Sequence, residues 1–354
     1  MGRYSDSCEQ RFRQLYEREF DWMEFNTSLM WRFFGHGLRK AIAIDASYIS
    51  KAGKKTPYIG KFWSGCASAV KRGLEILGIG IIDVDAKNCM MLRAEQTPDS
   101  RTLKDKGDEY NLVDWYLDVL QKHRDRLIAI TPYVVADAWF SKANFVNELC
   151  EMGFHLISRL RDDASLWYSH DGTRTGKRGR PRVKGEKIDF ENLDLSRCKG
   201  LDVNEGKAYV IKAYSKNMKR NIKIVVHYPQ AGGRKIYFST DIDMDGKDII
   251  EFYRTRFQIE FCFRDSKQFT GLSHCQARGL KKLDFAFNAS LASVNIAKII
   301  RKEEYPTLSI GLLKSYLCNI YILKRFLARS GITPNKTLNA KLVKELFGLV
   351  ADAA

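Results

Sequence analysis

Four residues stand at fixed offsets in one C-terminal stretch: Tyr253, Arg256, Glu260 and Lys267. If residues 248–269 form one α-helix at about 100° per residue, these four fall at about 0°, −60°, −20° and −40°, a single narrow stripe. Phe257 and Arg264 share that face at about 40° and 20°. Pairing of Glu260 with Arg256 and Arg264 at i, i+4 spacing is worth only a few tenths of a kcal/mol per pair and is the bland use of such a stripe. Two upstream aspartates point to a different chemistry. Asp45 interrupts the apolar run 41–49, where an unpaired ionised carboxylate is expensive to bury. Its same-side neighbours Ala43 and Ser47 are small and leave room for an ion or a phosphate. Asp137 follows directly on the short apolar run 133–136, at the strand end where functional side chains of helix-flanked sheets usually sit. Asp45, Asp137 and Glu260 are oxygen donors on separate elements, the set required by two hard divalent cations, Mg²⁺ with Mn²⁺ as a substitute. Such a pair clamps the attacking and leaving oxygens of a phosphodiester during in-line displacement. Without cations the three carboxylates would repel one another and take up protons. Arg256, Arg264 and Lys267 can then hold phosphates beside the metals, while Tyr253 hydrogen-bonds or stacks.

The elements that must position these residues follow from hydrophobic pattern. Residues 8–34 read as helical. The run 41–49 is apolar on both faces, as a central strand is, and 74–84 and 89–94 supply two more strands. Residues 109–127 have a helical pattern, 133–136 form a short strand entered by Pro132, Val146, Leu149 and Cys150 mark a helix, and 154–159 another strand. This order predicts an α/β domain with a mixed sheet. Residues 208–213, 222–228 and 235–240 read as strands of a β-rich insertion, the last two joined by the turn-rich 229–233. Beyond Gly246 the chain returns to helix, including a stripe of Ile310, Leu313, Leu317 and Ile320. The expected organisation is a short helical extension (1–40), the first part of the core (41–168), the β-rich insertion with a basic loop (169–245), the catalytic helix completing the core (246–280) and a helical C-terminal region (281–354).

The chain of 354 residues has 59 Lys+Arg against 42 Asp+Glu, a formal charge of +17, which points to a polyanionic partner. The 45% hydrophobic content excludes disorder for the bulk of the chain. The most basic segment, 174–184, holds six cations and no acid. Its core Arg178-Gly179-Arg180-Pro181, followed by Arg182, is like an AT-hook, where arginines enter a narrow minor groove, although a loop touching only phosphates uses the same residues. Lys51, Lys54, Lys55, Lys216, Lys219, Lys281 and Lys282 would add salt-sensitive, non-specific affinity. The apolar stretches 74–84 and 128–136 are too short to span a bilayer, and residues 1–17 lack the apolar block of a secretory signal, so a cytoplasmic location is expected. The eight scattered cysteines read as reduced packing residues rather than a disulfide framework or zinc module. Asp241-x-Asp243-x-Asp245 fails as a calcium loop because Phe252 stands at the twelfth position, and reads as a turn into the catalytic helix. Gly78-x-Gly80 is followed by Asp83 where a dinucleotide fingerprint needs a small residue, and His274 beside Cys275 lacks a second ligand pair.

The spacing Tyr253-x2-Arg256-x3-Glu260-x6-Lys267, preceded by Asp45 and Asp137 and by a β-rich insertion, closely resembles the signature of the insertion-sequence-four branch of DDE transposases. The likeness covers roughly residues 41–278. It implies an RNase H-like α/β core, a mixed sheet with helices on both faces, a β-rich insertion before the last catalytic helix and a helical C-terminal part. It implies Asp45, Asp137 and Glu260 as catalytic metal ligands, two Mg²⁺ per active site, cleavage at element ends and transfer of the freed 3′ hydroxyl to target DNA. The implied partners are terminal inverted repeats, target DNA and a second copy of the chain in the synapse, with no membrane, in a bacterial, nucleoid-associated setting. The relatives' Asp-Asp-Thr or Asp-Gly-Thr motif stands as Asp45-Ala46-Ser47, and all six tryptophans lie at or before Trp167, so no tryptophan of the insertion is present to assist a DNA hairpin. About 40 residues precede the first strand where relatives usually carry a DNA-binding domain. This favours one alternative, a catalytically idle truncated or domesticated transposase acting as a DNA-binding protein.

Overall fold

The computed structural model describes residues 5, 7–37, 39–170 and 184–331. The chain begins with α1 (Glu9–Leu15) and α2 (Trp22–Phe34), then β1 (Lys40–Ser50), β2 (Gly60–Ser64), β3 (Ala69–Asp83) and β4 (Asn88–Gln96). Next come α3 (Ser100–Lys104), α4 (Leu112–Ile128), β5 (Tyr133–Val135), α5 (Ala143–Glu151) and β6 (His155–Leu160). Six further strands follow: β7 (Leu166–Ser169), β8 (Lys184–Lys187), β9 (Lys199–Leu201), β10 (Lys207–Ser215), β11 (Arg220–Tyr228) and β12 (Lys235–Ser239). The last described elements are α6 (Gly246–Thr255), α7 (Gln258–Asp265), α8 (Leu280–Glu303) and α9 (Ile310–Arg329).

The strands form one 12-stranded mixed sheet, ordered β2-β3-β1-β5-β6-β12-β11-β10-β7-β8, with β4 beside β3 and β9 beside β10. β1 is central because residues 41–44 are buried on both faces. It runs antiparallel to β3 and parallel to β5, which is in turn parallel to β6. The expected α/β order and its mixed sheet are therefore present. The strands of the 169–245 region continue this sheet, since β12 pairs with β6.

Helices cover both faces. On one, Ile42, Ile44 and Ile79 pack with Met30 of α2, Leu117 of α4 and Val146 of α5. On the other, Ala43, Ile76 and Val135 pack with Ile249 of α6, Phe263 of α7 and Phe287 of α8. α8 covers the free edge of β4 with asparagines. Asn288 donates to Ala94 O (3.0 Å) and accepts from Ala94 N (2.8 Å), and Asn295 does the same with Met91 O (2.7 Å) and Met91 N (3.0 Å). These contacts pair edge groups that would otherwise be orphaned.

Several expectations change. Residues 8–34 contain two helices separated by 16–21, and β2 was not expected. The sequence reading did not single out α8, which is long and apolar enough to cross a membrane by length and composition, although half of that window is buried inside the fold. Its edge-capping asparagines are those of a core helix. In α9 the buried positions are Ile310, Leu313 and Tyr316 rather than the full stripe; Leu317 is 39% exposed, and the ring of Tyr316 packs on Tyr305 at 5.2 Å.

The largest change concerns the single helix expected over 248–269, which is three segments. Hydrogen bonding tightens to i→i−3 at Arg256 N to Tyr253 O (3.1 Å), Ile259 N to Arg256 O (3.2 Å) and Glu260 N to Phe257 O (3.1 Å). The cause is Thr255, whose hydroxyl bonds back to Phe252 O at 2.8 Å and competes with the helix ladder. After α7 the chain widens into a π-helical turn, Ser266–Thr270, in which Ser266 Oγ bonds back to Cys262 O at 2.7 Å. Such turns concentrate at functional sites.

Candidate active site

Asp45 and Asp137 are brought together by strand register. Ala43 of β1 pairs in parallel with Val135 of β5. Asp45 and Asp137, each two residues further on, thus lie just beyond that pair and toward the same face, as alternation along the strand requires. Asp137 remains extended and caps a short 3₁₀ turn, with Oδ1 accepting from Trp139 N at 2.9 Å. Its carbonyl accepts from Ser158 Oγ at 2.9 Å, which ties the turn to β6.

Glu260 reaches the same place because α7 lies directly on the sheet. Gly78 of β3 is the register partner of Asp45, and a Cβ on it would stand 2.4 Å from the Phe263 ring. Only glycine lets the helix approach so closely beside Asp45. From below, Lys298 of α8 bonds to Asn88 Oδ1 (2.9 Å) and Cys262 Sγ (3.3 Å), holding α7 to β4. At the start of α6, Arg39 is bound by Asp85, Asp248 (2.6 Å) and Glu251.

The electrostatics join these residues into one neighbourhood. Burial first, then the negative charges of Asp137 and Glu260, push the Asp45 carboxyl up to about 7, against the opposing pull of Arg256. The Arg256 guanidinium, although pulled down by burial, is held above its ordinary value by Glu260, Asp45 and Tyr253. It bonds Glu260 Oε1 through Nη2 at 2.9 Å, and its buried Nε has no hydrogen-bond partner among the described residues. Lys267, on the π turn, is lowered by burial while Cys66 and Asp45 raise it, which places its ammonium within range of Asp45. Tyr253 is raised by burial, with Arg256 and Arg159 lowering it and Asp137 raising it. Its ring packs on Tyr237 at 5.2 Å.

The structure therefore brings Tyr253, Arg256, Glu260 and Lys267 to Asp45 and Asp137. It does so through a tight turn and a π turn, not along one straight helical stripe. Arg264 goes elsewhere: it bonds Asp265 Oδ1 at 3.0 Å and lies over the Phe261 ring at 4.5 Å. Arg178, Arg180 and Arg182 lie outside the described residues. Sequence reasoning missed Gly78, Arg159, Ser158 and Lys298. Gly78 had a readable signal, a glycine within an otherwise apolar strand, which marks close approach of another element.

Among the described residues, no three His, Cys, Asp or Glu side chains are grouped closely enough to hold a metal ion. Glu260 is turned onto Arg256 and Asp137 is engaged in its cap, so the acids share a field without closing a ligand cage. The donor set nevertheless fits a hard divalent cation. It consists of carboxylate oxygens only, and a cation would offset the burial and, after it, the repulsion by Asp137 and Glu260 that together keep Asp45 protonated up to about 7.

Comparison with known proteins adds a family to this geometry. A family model described as a transposase DDE domain matches residues 37–296, from before β1 into α8. No curated protein matches the chain at a significant level. Among solved structures, a piggyBac transposase synaptic complex with hairpin DNA is similar at 12% sequence identity and a TM-score of 0.41, covering 99% of this chain. The chain spans 66% of that chain's length. Since that match covers well over half of its length, the chain belongs to the transposase DDE domain family.

Proposed function

We propose that the chain is a DNA transposase of the insertion-sequence-four type, with an RNase H-like core and Asp45, Asp137 and Glu260 as its catalytic metal ligands. The observation that carries this reading is the shared field of the three carboxylates with Arg256, assembled from β1, β5 and α7. Two Mg²⁺ ions held by these acids, or Mn²⁺ in their place, would supply Lewis-acid activation of water or a DNA 3′ hydroxyl and neutralise charge at the scissile phosphate. Arg256 orients Glu260 through Nη2 and presents the exposed part of its guanidinium to a phosphate oxygen. Lys267 adds a second cation beside Asp45, and Tyr253 closes the side nearest Asp137. The substrates are terminal inverted repeats and target DNA, the working form is a homodimer in the synapse, and the setting is the bacterial cytoplasm at the nucleoid.

The test is cleavage of end-labelled terminal-repeat DNA by the full chain in Mg²⁺ or Mn²⁺. Asp45→Ala and Glu260→Gln should abolish nicking while leaving DNA binding within a few fold; nicking by either variant rejects the assignment. One observation favours a second reading, a catalytically idle DNA-binding protein: Glu260 is paired with Arg256 rather than grouped with the aspartates. That reading predicts no cleavage by the unsubstituted chain at any divalent concentration.

A further inference from the structure

Between Asp45 and Glu75 the sequence holds no acidic residue and six cations: Lys51, Lys54, Lys55, Lys61, Lys71 and Arg72. The centre of this segment is the β2–β3 hairpin. β3 is buried from Gly73 onward but fully exposed over residues 69–72, so the hairpin stands out from the sheet. Its base is a pair of opposed glycines, Gly60 and Gly73.

The two faces of the hairpin differ. Phe62 and Ser64 point inward and are buried. On the other face, register pairs Lys61 with Arg72 and Trp63 with Val70, and all four are exposed, Trp63 by 59% and Val70 by 60%. No ring or cation contact involves Trp63 among the described residues, unlike Trp139, which is covered by Lys142 at 3.6 Å. Nor do Lys54, Lys55, Lys61, Lys71 or Arg72 form a salt bridge among the described residues, although cations elsewhere in the chain find acids readily. Cys66, in the turn of the hairpin, lies within electrostatic range of Lys267, so the tip adjoins the proposed active site.

An indole left in water, backed by an aliphatic residue and flanked by two unneutralised cations, is the arrangement that binds single-stranded nucleic acid. We propose that the β2–β3 hairpin is a DNA-contacting element beside the active site, in which Trp63 stacks on an unpaired nucleobase while Lys61 and Arg72 hold the adjoining phosphates. The proposal rests on the transposase reading for the identity of the strand, but it is tested without cleavage. Successive same-face residues of a strand are about 6.7 Å apart, which keeps ring and cations within reach of one nucleotide and its phosphates.

The experiment measures fluorescence anisotropy of a labelled 15-nucleotide oligo-dT and of a 15-base-pair duplex against the full chain. Trp63→Ala should weaken oligo-dT binding by about 5- to 150-fold and the duplex by much less, and Trp63→Phe should restore most of the loss. Lys61→Ala with Arg72→Ala should lower the slope of log affinity on log salt by about 1.4 for the single strand. Phe326→Ala, which removes another exposed ring, should change nothing. An unchanged melting temperature for Trp63→Ala separates contact from folding. Oligo-dT binding by Trp63→Ala within twofold of the unsubstituted chain overturns the proposal, as does an equal loss on duplex and single strand. Absence of cleavage by the unsubstituted chain would instead count against the transposase reading and leave this result standing.

Discussion

Asp45 is penalised for its charge by burial and by Asp137 and Glu260, so its carboxyl keeps a proton up to about 7 instead of the ordinary 3.8. Without metal, the folded chain therefore binds more protons than the unfolded chain between these values. The stabilising contribution of the protonated group is fully present below about pH 4 and is lost as pH rises through about 7. The full cost is on the order of 4 kcal/mol. In EDTA, Asp45→Asn should melt higher than the unsubstituted chain, by a margin that grows from pH 5 to pH 8 in thermal melts; a margin independent of pH would contradict the placement. Mg²⁺ should stabilise the unsubstituted chain more at pH 8 than at pH 6, because it binds the ionised form. Arg256 allows a second prediction. Loss of a charged hydrogen-bond donor of roughly 1.5–3 kcal/mol should make Arg256→Ala about 10- to 100-fold slower in nicking. Arg256→Lys should recover little, since Lys lacks the fork that serves Glu260 and a phosphate together.

The elements carrying these residues were legible wherever local pattern decides them. β1, β5 and β6 follow from apolar runs, and the positions of Asp45 and Asp137 in them follow directly. The break at Arg256 did not, because helical periodicity cannot register one hydroxyl, that of Thr255, bonding back to Phe252 O. The π turn at Ser266 escaped for the same reason. Nor did the sequence say why α7 lies so near β1, which depends on Gly78 making room for Phe263. Gly78→Ala should push α7 outward, cost roughly 1–3 kcal/mol by denaturant titration and weaken Mn²⁺ binding, and Phe263→Leu in the same chain should recover part of both. Mn²⁺ affinity unchanged in Gly78→Ala would show that α7 does not set the position of Glu260. Asn295→Leu should unpair Met91 N and O on the edge of β4, at roughly 1–3 kcal/mol for each buried group, read as a lower denaturation midpoint.

At the scale of the whole molecule, the charge of +17 points to a polyanionic partner but says nothing of its route over the surface. The basic run with Arg178, Arg180 and Arg182 drew attention by density, whereas the hairpin with Lys61, Trp63 and Arg72 became visible only once register put them on one exposed face. Replacing Arg178, Arg180 and Arg182 together by Ala should lower the salt slope of duplex binding by up to about 2.7 and weaken A·T-rich and G·C-rich duplexes alike if only phosphates are touched. The long sheet joins the acids from distant parts of the chain, and their cooperation can be measured without DNA. Mn²⁺ binding, followed by electron paramagnetic resonance on the full chain and on Asp45→Asn, Asp137→Asn and Glu260→Gln, addresses this most directly. Two bound ions should be seen in the unsubstituted chain, with each single variant losing at least one. Undiminished binding in any of the three would show that Asp45, Asp137 and Glu260 do not serve one metal centre.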